Sequence, residues 1–185
     1  MRLSKPRVPP IDPEALQGEA REILDRSGMR GHTLNIFATL IHHPKLTKRW
    51  QVFGNHVLNK STLPPRDREL LILRIGWLCR SEYEFGQHVV IGKREGLSDD
   101  EIERVTRGPE AEGWDPFDAT LLRATDELHT DAFLSDATWK ALAARYDTQQ
   151  LMDVVFTVGQ YNLVSMAVNT LGVQQDEGFP GFPTS

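Results

Sequence analysis

Apolar residues along this chain recur at helical spacing, and prolines, glycines and short polar side chains divide the recurrences into segments. The first eleven residues contain three prolines and no periodicity, so they read as an extended arm. Asp12-Pro13-Glu14 supplies an N-cap acid and a proline at the first helical position, predicting a helix through Ala20 and Ile23-Leu24 that stops at Gly28. Leu34 to Ile41 is a second apolar stretch. Pro44 opens a helix through Trp50, Phe53 and Val57, ending near Ser61.

Pro64-Pro65 starts the next helix. Leu70 to Leu73, Ile75, Trp77 and Leu78 cover nearly every side of it, so it is expected to be central and buried. A break at Arg80-Ser81 leads to a helix that ends at Gly96. Ser98 to Glu101 is a capping box for a short helix ending near Gly108. Asp115-Pro116 and Ser135 start two further helices, and Leu151 to Leu171 is the last long apolar pattern. Val154, Val155 and Val158 would suit a strand, but the length of the pattern around them favours helix. With no alternation of period two, the expected class is all-α, built around an antiparallel helix pair at about 66–80 and 81–95. The expected organisation is a single domain over 1–185, with an N-terminal helical extension (about 1–60) and an irregular tail (about 176–185).

Composition changes this picture little. With 185 residues, 39% hydrophobic and 25% charged, the chain can bury a core without staples. A net charge of -5 with scattered basic residues argues against nucleic acid as a partner. One cysteine, Cys79, excludes an intrachain disulfide or dithiol centre. No apolar run reads as a signal peptide or approaches membrane-spanning length, so a cytoplasmic protein without a membrane partner is expected.

Candidate chemistry lies between Arg66 and Glu101. Glu84 and His88 stand four apart on one helix, so their side chains share a face, and a carboxylate there can fix the imidazole tautomer and raise its pKa. Ser81 precedes Glu84 by one turn on the same stripe. Against a functional role stands a plain buried or surface ion pair. Cys79 reads better as a small buried residue than as a nucleophile. His42, His43 and His56 form no recognised zinc signature with the pair, so no metal is expected. His32 and His129 are expected to be solvated. Gln160, Tyr161, Asn162 and Asn169 are polar residues in an apolar helix, where each must line a cavity or find a partner.

The segment RDRELLILRIGWLCRSEYEFGQHVVIGKREGLSDDE resembles the carboxymuconolactone decarboxylase family, which includes the alkylhydroperoxidase D-like proteins. In the peroxidase branch a glutamate precedes a Cys-x-x-Cys pair, and a histidine follows the second cysteine by four. Those positions fall here at Glu69, Ser81, Glu84 and His88, so both redox thiols are missing. The decarboxylase branch retains the Glu-x-x-x-His pair, as Glu84 and His88 do. This chain is longer than the small decarboxylases at both ends. The resemblance implies a helical homo-oligomer, a trimer or hexamer, and a cofactor-independent lyase acting on a small lactone or oxo acid. His88, Glu84 and Glu69 are then the catalytic candidates, with His88 delivering a proton and Glu84 orienting it. Tyr83, Ser81 and Trp77 are the substrate-binding candidates, with packing as the competing role of Tyr83 and Trp77. The alternatives are a thiol-dependent antioxidant using Cys79 and a non-catalytic small-molecule-binding protein.

Overall fold

A computed structural model of the chain describes residues 2–27 and 33–183. Among them are helices α1 (Gly18–Asp25), α2 (Asn35–Leu40), α3 (Pro44–Asn59), α4 (Pro65–Leu78), α5 (Glu82–Arg94), α6 (Asp99–Arg107), α7 (Pro116–Asp131), α8 (Asp136–Ala143) and α9 (Thr148–Leu171), and no strand. The molecule is all-α. Asp115, Ser135 and the Ser98/Glu101 capping box start their helices as the sequence predicts.

The first helix departs from expectation. Asp12 caps only a 3-10 turn at Pro13–Ala15, and α1 begins afresh at Gly18. Leu16 and Gln17 are extended and interrupt the helix, and Gly18 takes the left-handed φ of +60° where α1 starts. The expected stop at Gly28 and residue His32 lie outside the described residues.

α4 is the central helix. Leu70, Leu71, Ile72, Leu73 and Ile75 have no exposed surface, each contributing about 1.5–3 kcal/mol relative to exposure. α5, α6, α7 and α9 surround it. Its polar residues are buried with partners: the Tyr146 hydroxyl donates to Asp67 Oδ2 at 2.6 Å, and Arg74 donates to Asp126 and to Val105 O. Arg80 turns the chain with φ 51°, and α5 returns antiparallel, with Gly76 against Phe85 and Gly92 against Leu73 and Glu69. A Cβ at Gly92 would lie 3.1 Å from Leu97 Cδ1 and 3.5 Å from Leu73 Cδ1, so the glycine leaves room for Leu97 to pack beside the α4–α5 pair. This close pairing brings α4 and α5 side chains into contact at the level of Glu69.

α9 corrects the expectation that no stretch approaches membrane-spanning length: it is long and apolar enough by composition. One face of it is core, packing on α4, α7, α3 and α5. The N-terminal arm lies at its C-terminal end, where Arg7 and Val8 N–H donate to Leu171 O. The C-terminal tail is irregular, yet Phe182 inserts against Trp77 and Phe85.

Candidate functional site

Glu69 projects from the second turn of α4, and Glu84 and His88 from successive turns of α5. The antiparallel packing brings all three together. His88 Nδ1 lies 2.6 Å from Glu69 Oε2, and His88 Nε2 lies 3.1 Å from Glu84 Oε1. Arg68 reaches the other Glu69 oxygen, Nε donating at 3.1 Å and Nη2 lying at 3.0 Å. All four residues are buried, and Glu69 has no exposed surface. Their formal charges alternate along the chain of contacts: Arg68 positive, Glu69 negative, His88 positive when protonated, Glu84 negative.

That alternation sets the protonation of His88. Burial alone would lower its pKa, because a charged imidazolium is poorly solvated there. The charge and hydrogen bond of Glu69, then those of Glu84, outweigh this and push the pKa up to about 9. Neither ring nitrogen is left free, so the imidazole stores a proton rather than presenting a nitrogen to a ligand.

Tyr161, from α9, sets its ring edge-on to His88, with centroids 4.7 Å apart and an interplanar angle of 82°. The Tyr161 hydroxyl makes no hydrogen bond among the described residues. Burial, then the charges of Glu84 and Glu69, push its pKa well up, so it remains a phenol.

These groups border a cavity of about 390 Å³, a size that suits a small molecule. Glu84, His88 and Tyr161 form one wall with Gln160. Phe37, Trp50 and Leu58 form the other, so α2 and α3, within the N-terminal extension, close the site. Gly54 widens this wall, since a Cβ there would lie 3.4 Å from Gln160 Nε2.

The substrate-binding candidates separate. Tyr83 borders the cavity, but its hydroxyl donates to Asp176 Oδ2 at 2.6 Å and accepts from Ile36 N–H at 3.2 Å. Trp77 and Ser81 do not border it, which corrects the expectation for both. Trp77 stacks in an aromatic cluster with Phe182 and Phe85, the latter one residue from Glu84 and therefore about 100° around α5. Ser81 shares the stripe of Glu84 but sits one turn lower, sealed in the α4–α5 turn with its N–H donating to Gly76 O.

Cys79 also lies outside the cavity. Its Sγ donates to Asn162 Oδ1 at 3.0 Å, and burial pushes the thiol pKa up. Asn169 donates to Cys79 O. His42 contacts Pro9 O in the N-terminal arm, His43 caps α3 by accepting from Leu46 N–H, and His129 is exposed. Tyr161 and Gln160 were visible in the sequence as polar residues in an apolar helix. Phe37 and Trp50 carried no such signal.

Residues 44–127 match the carboxymuconolactone decarboxylase family. No curated protein matches the sequence. Among solved structures, an alkylhydroperoxidase AhpD core, an uncharacterized peroxidase-related protein from Ralstonia eutropha, superposes with TM-score 0.81 at 18% identity, covering 93% of each chain. An uncharacterized peroxidase-related protein from Silicibacter gives TM-score 0.77 at 12% identity, covering 98% of this chain and 95% of the other. The debrominase Bmp8, as a variant in complex with 2,3,4-tribromopyrrole, gives TM-score 0.73 at 10% identity over 94% of each chain. The matched segment contains Glu69, Glu84 and His88, and the likeness of fold to AhpD-like structures extends over nearly the whole chain.

Proposed function

We propose that this chain is a cofactor-independent acid–base enzyme of the carboxymuconolactone decarboxylase type, a cytoplasmic lyase for a small lactone or oxo carboxylic acid. The observation that carries the reading is the Arg68–Glu69–His88–Glu84 relay, which ends at a cavity bordered by Tyr161, whose hydroxyl has no hydrogen-bond partner among the described residues. A β-oxo acid that loses CO2 leaves an enolate, which must be stabilised and then protonated on carbon. The Tyr161 hydroxyl donates a hydrogen bond to the enolate oxygen. His88 passes its proton to Glu84, and Glu84 delivers it to the carbanion. His88 is left neutral between two carboxylates and takes its next proton from solvent. Delivery therefore falls to Glu84, with His88 as the store behind it. Arg68 and protonated His88 offset both carboxylates, so the relay shows an incoming acid no net negative charge.

Peroxidase-related names among the neighbours suggest thiol chemistry as the rival. Against it stands the position of Cys79, outside the cavity and with its thiol pKa raised. A screen of lactones and oxo acids tests the choice. The expected result is turnover that His88→Gln and Glu84→Gln each abolish with the helical circular dichroism intact. Retained turnover in His88→Gln, or peroxide consumption that depends on Cys79, would remove the proposal.

A further inference from the structure

Two polar groups in the cavity wall take no part in the relay. Gln160, on α9, is only 4% exposed, and its Oε1 accepts no hydrogen bond among the described residues. Trp50, on α3, holds its indole Nε1–H out of water, and that donor has no partner among them either. The two side chains meet at Gly54, one turn along α3 from Trp50. A Cβ there would lie 3.4 Å from Gln160 Nε2 and 3.9 Å from Trp50 Cε2, the ring carbon that carries Nε1. All three residues border the cavity. A donor and an acceptor closed off side by side each lose hydration without a bond in return, which is costly unless a ligand supplies it. Neighbouring amides of the same wall are engaged: Gln87 donates to Asp176, and Gln51 donates to Ser27.

We infer that the notch at Gly54 is a subsite for a neutral hydroxyl group of the substrate, which makes that substrate a hydroxylated ring acid. The inference rests on the lyase reading for the acid end of the molecule and on the notch for its hydroxyl end. Trp50 Nε1–H only donates, so it needs an acceptor, and Gln160 Oε1 only accepts, so it needs a donor. A hydroxyl is both through a single oxygen: it accepts from Trp50 and donates to Gln160 at once. A ketone or ether oxygen cannot donate and leaves Oε1 unpaired. A second carboxylate sets oxygen against oxygen with no cation to offset it. Protonated His88 is taken up by Glu69 and Glu84, and Arg26, the other cation bordering the cavity among the described residues, is exposed. Size points the same way. A single carbon at Gly54 already reaches contact with both neighbours, so the space suits one oxygen better than a three-atom carboxylate or carboxamide. Phe37, Leu58, Ile91 and Val164 complete the apolar wall, which suits the hydrocarbon faces of a ring.

Isothermal titration calorimetry of the full chain with benzoate, 3-hydroxybenzoate, 4-hydroxybenzoate and terephthalate tests it, with far-UV circular dichroism as the check on folding. At least one hydroxybenzoate is expected to bind ~10- to 100-fold more tightly than benzoate, because a buried donor and acceptor gain their partner only from the hydroxyl. Terephthalate, with a carboxylate in its place, is expected to bind no better than benzoate. Trp50→Phe keeps an aromatic ring and removes the donor, and Gln160→Leu removes the acceptor. Each is expected to erase most of the preference while benzoate still binds. Gly54→Ala fills the notch with a residue that a helix favours, and is expected to weaken the hydroxybenzoate alone. A wild type that binds none of these acids, or binds them without preference, overturns the inference, as does a preference undiminished in both Trp50→Phe and Gln160→Leu. Hydroxyl-selective binding without turnover of any hydroxylated oxo acid would keep the subsite and remove the lyase reading. Turnover of oxo acids regardless of a hydroxyl would keep the lyase and remove the subsite.

Discussion

Asp176, in the irregular C-terminal segment, accepts a 2.6 Å hydrogen bond from the hydroxyl of Tyr83 on α5. The same carboxylate oxygen accepts from Gln87 Nε2 at 2.9 Å, and the other oxygen accepts from Asn35 N–H at the start of α2. One side chain thus ties α2 to α5 along the edge of the cavity, across a sequence separation that no local pattern spans. The tail reinforces this tie at Gly86, where a Cβ would lie 2.0 Å from Pro180 O.

Asp176→Ala is expected to lower stability by about 2 kcal/mol, because it leaves the Tyr83 O–H donor and the Asn35 N–H without their acceptor in partly buried places. For a chain of this length that is a fall of roughly 4–8 °C in Tm. The wall would loosen while the relay behind it stays intact, so binding should weaken more than turnover. Thermal unfolding and a KM-against-kcat comparison check this, and an unchanged Tm would mean that the tail does not brace the cavity.

Much of the fold was legible because it is written locally. The caps at Asp115, Ser135 and Ser98, the turn at Gly96 and the uniformly apolar α4 each follow from a few adjacent residues. The Glu84–His88 contact follows from helical spacing, and Glu69 joined it through the family pattern. Local spacing could not say which neighbours share a cavity. Ser81 shares a stripe with Glu84 yet is sealed in a turn, and Trp77 faces the aromatic cluster instead. The α2–α3 wall and the Asp176 tie are long-range packing, with no periodicity to announce them. The break before Gly18 was missed because Leu16 and Gln17 fit a helical pattern, and only the folded chain shows them extended.

Folding stability should carry the signature of His88. Its pKa rises from 6.5 in the unfolded chain to about 9 in the folded one. A raised pKa means that the folded state holds the proton more tightly, so the stabilisation is fully present below pH 6.5 and is lost as the pH rises through 9. Its size is roughly 3 kcal/mol. Urea unfolding of the wild type should therefore weaken across this window. His88→Gln removes the titrating group, and its unfolding free energy should run nearly level over the same range. Parallel curves for the two proteins would show that the imidazole is not held charged between Glu69 and Glu84.

Tyr161→Phe separates catalysis from packing at the site. The ring contact with His88 survives in phenylalanine, and the hydroxyl has no partner among the described residues whose loss would cost stability. The Tm should shift by no more than a degree or so, since about 0.3 kcal/mol is at stake. If the hydroxyl holds the enolate oxygen, removing that donor should cost about 10²- to 10³-fold in kcat with little change in KM, because the interaction strengthens only as charge develops on the oxygen. The wild-type pH dependence set by the His88 relay should persist in the variant, since Glu69 and Glu84 still hold the imidazole. Stopped-flow or steady-state kinetics on any acid found to turn over decides the matter. A Tyr161→Phe enzyme with undiminished kcat would leave Glu84 as the one group acting on the substrate and would assign the oxyanion to another donor.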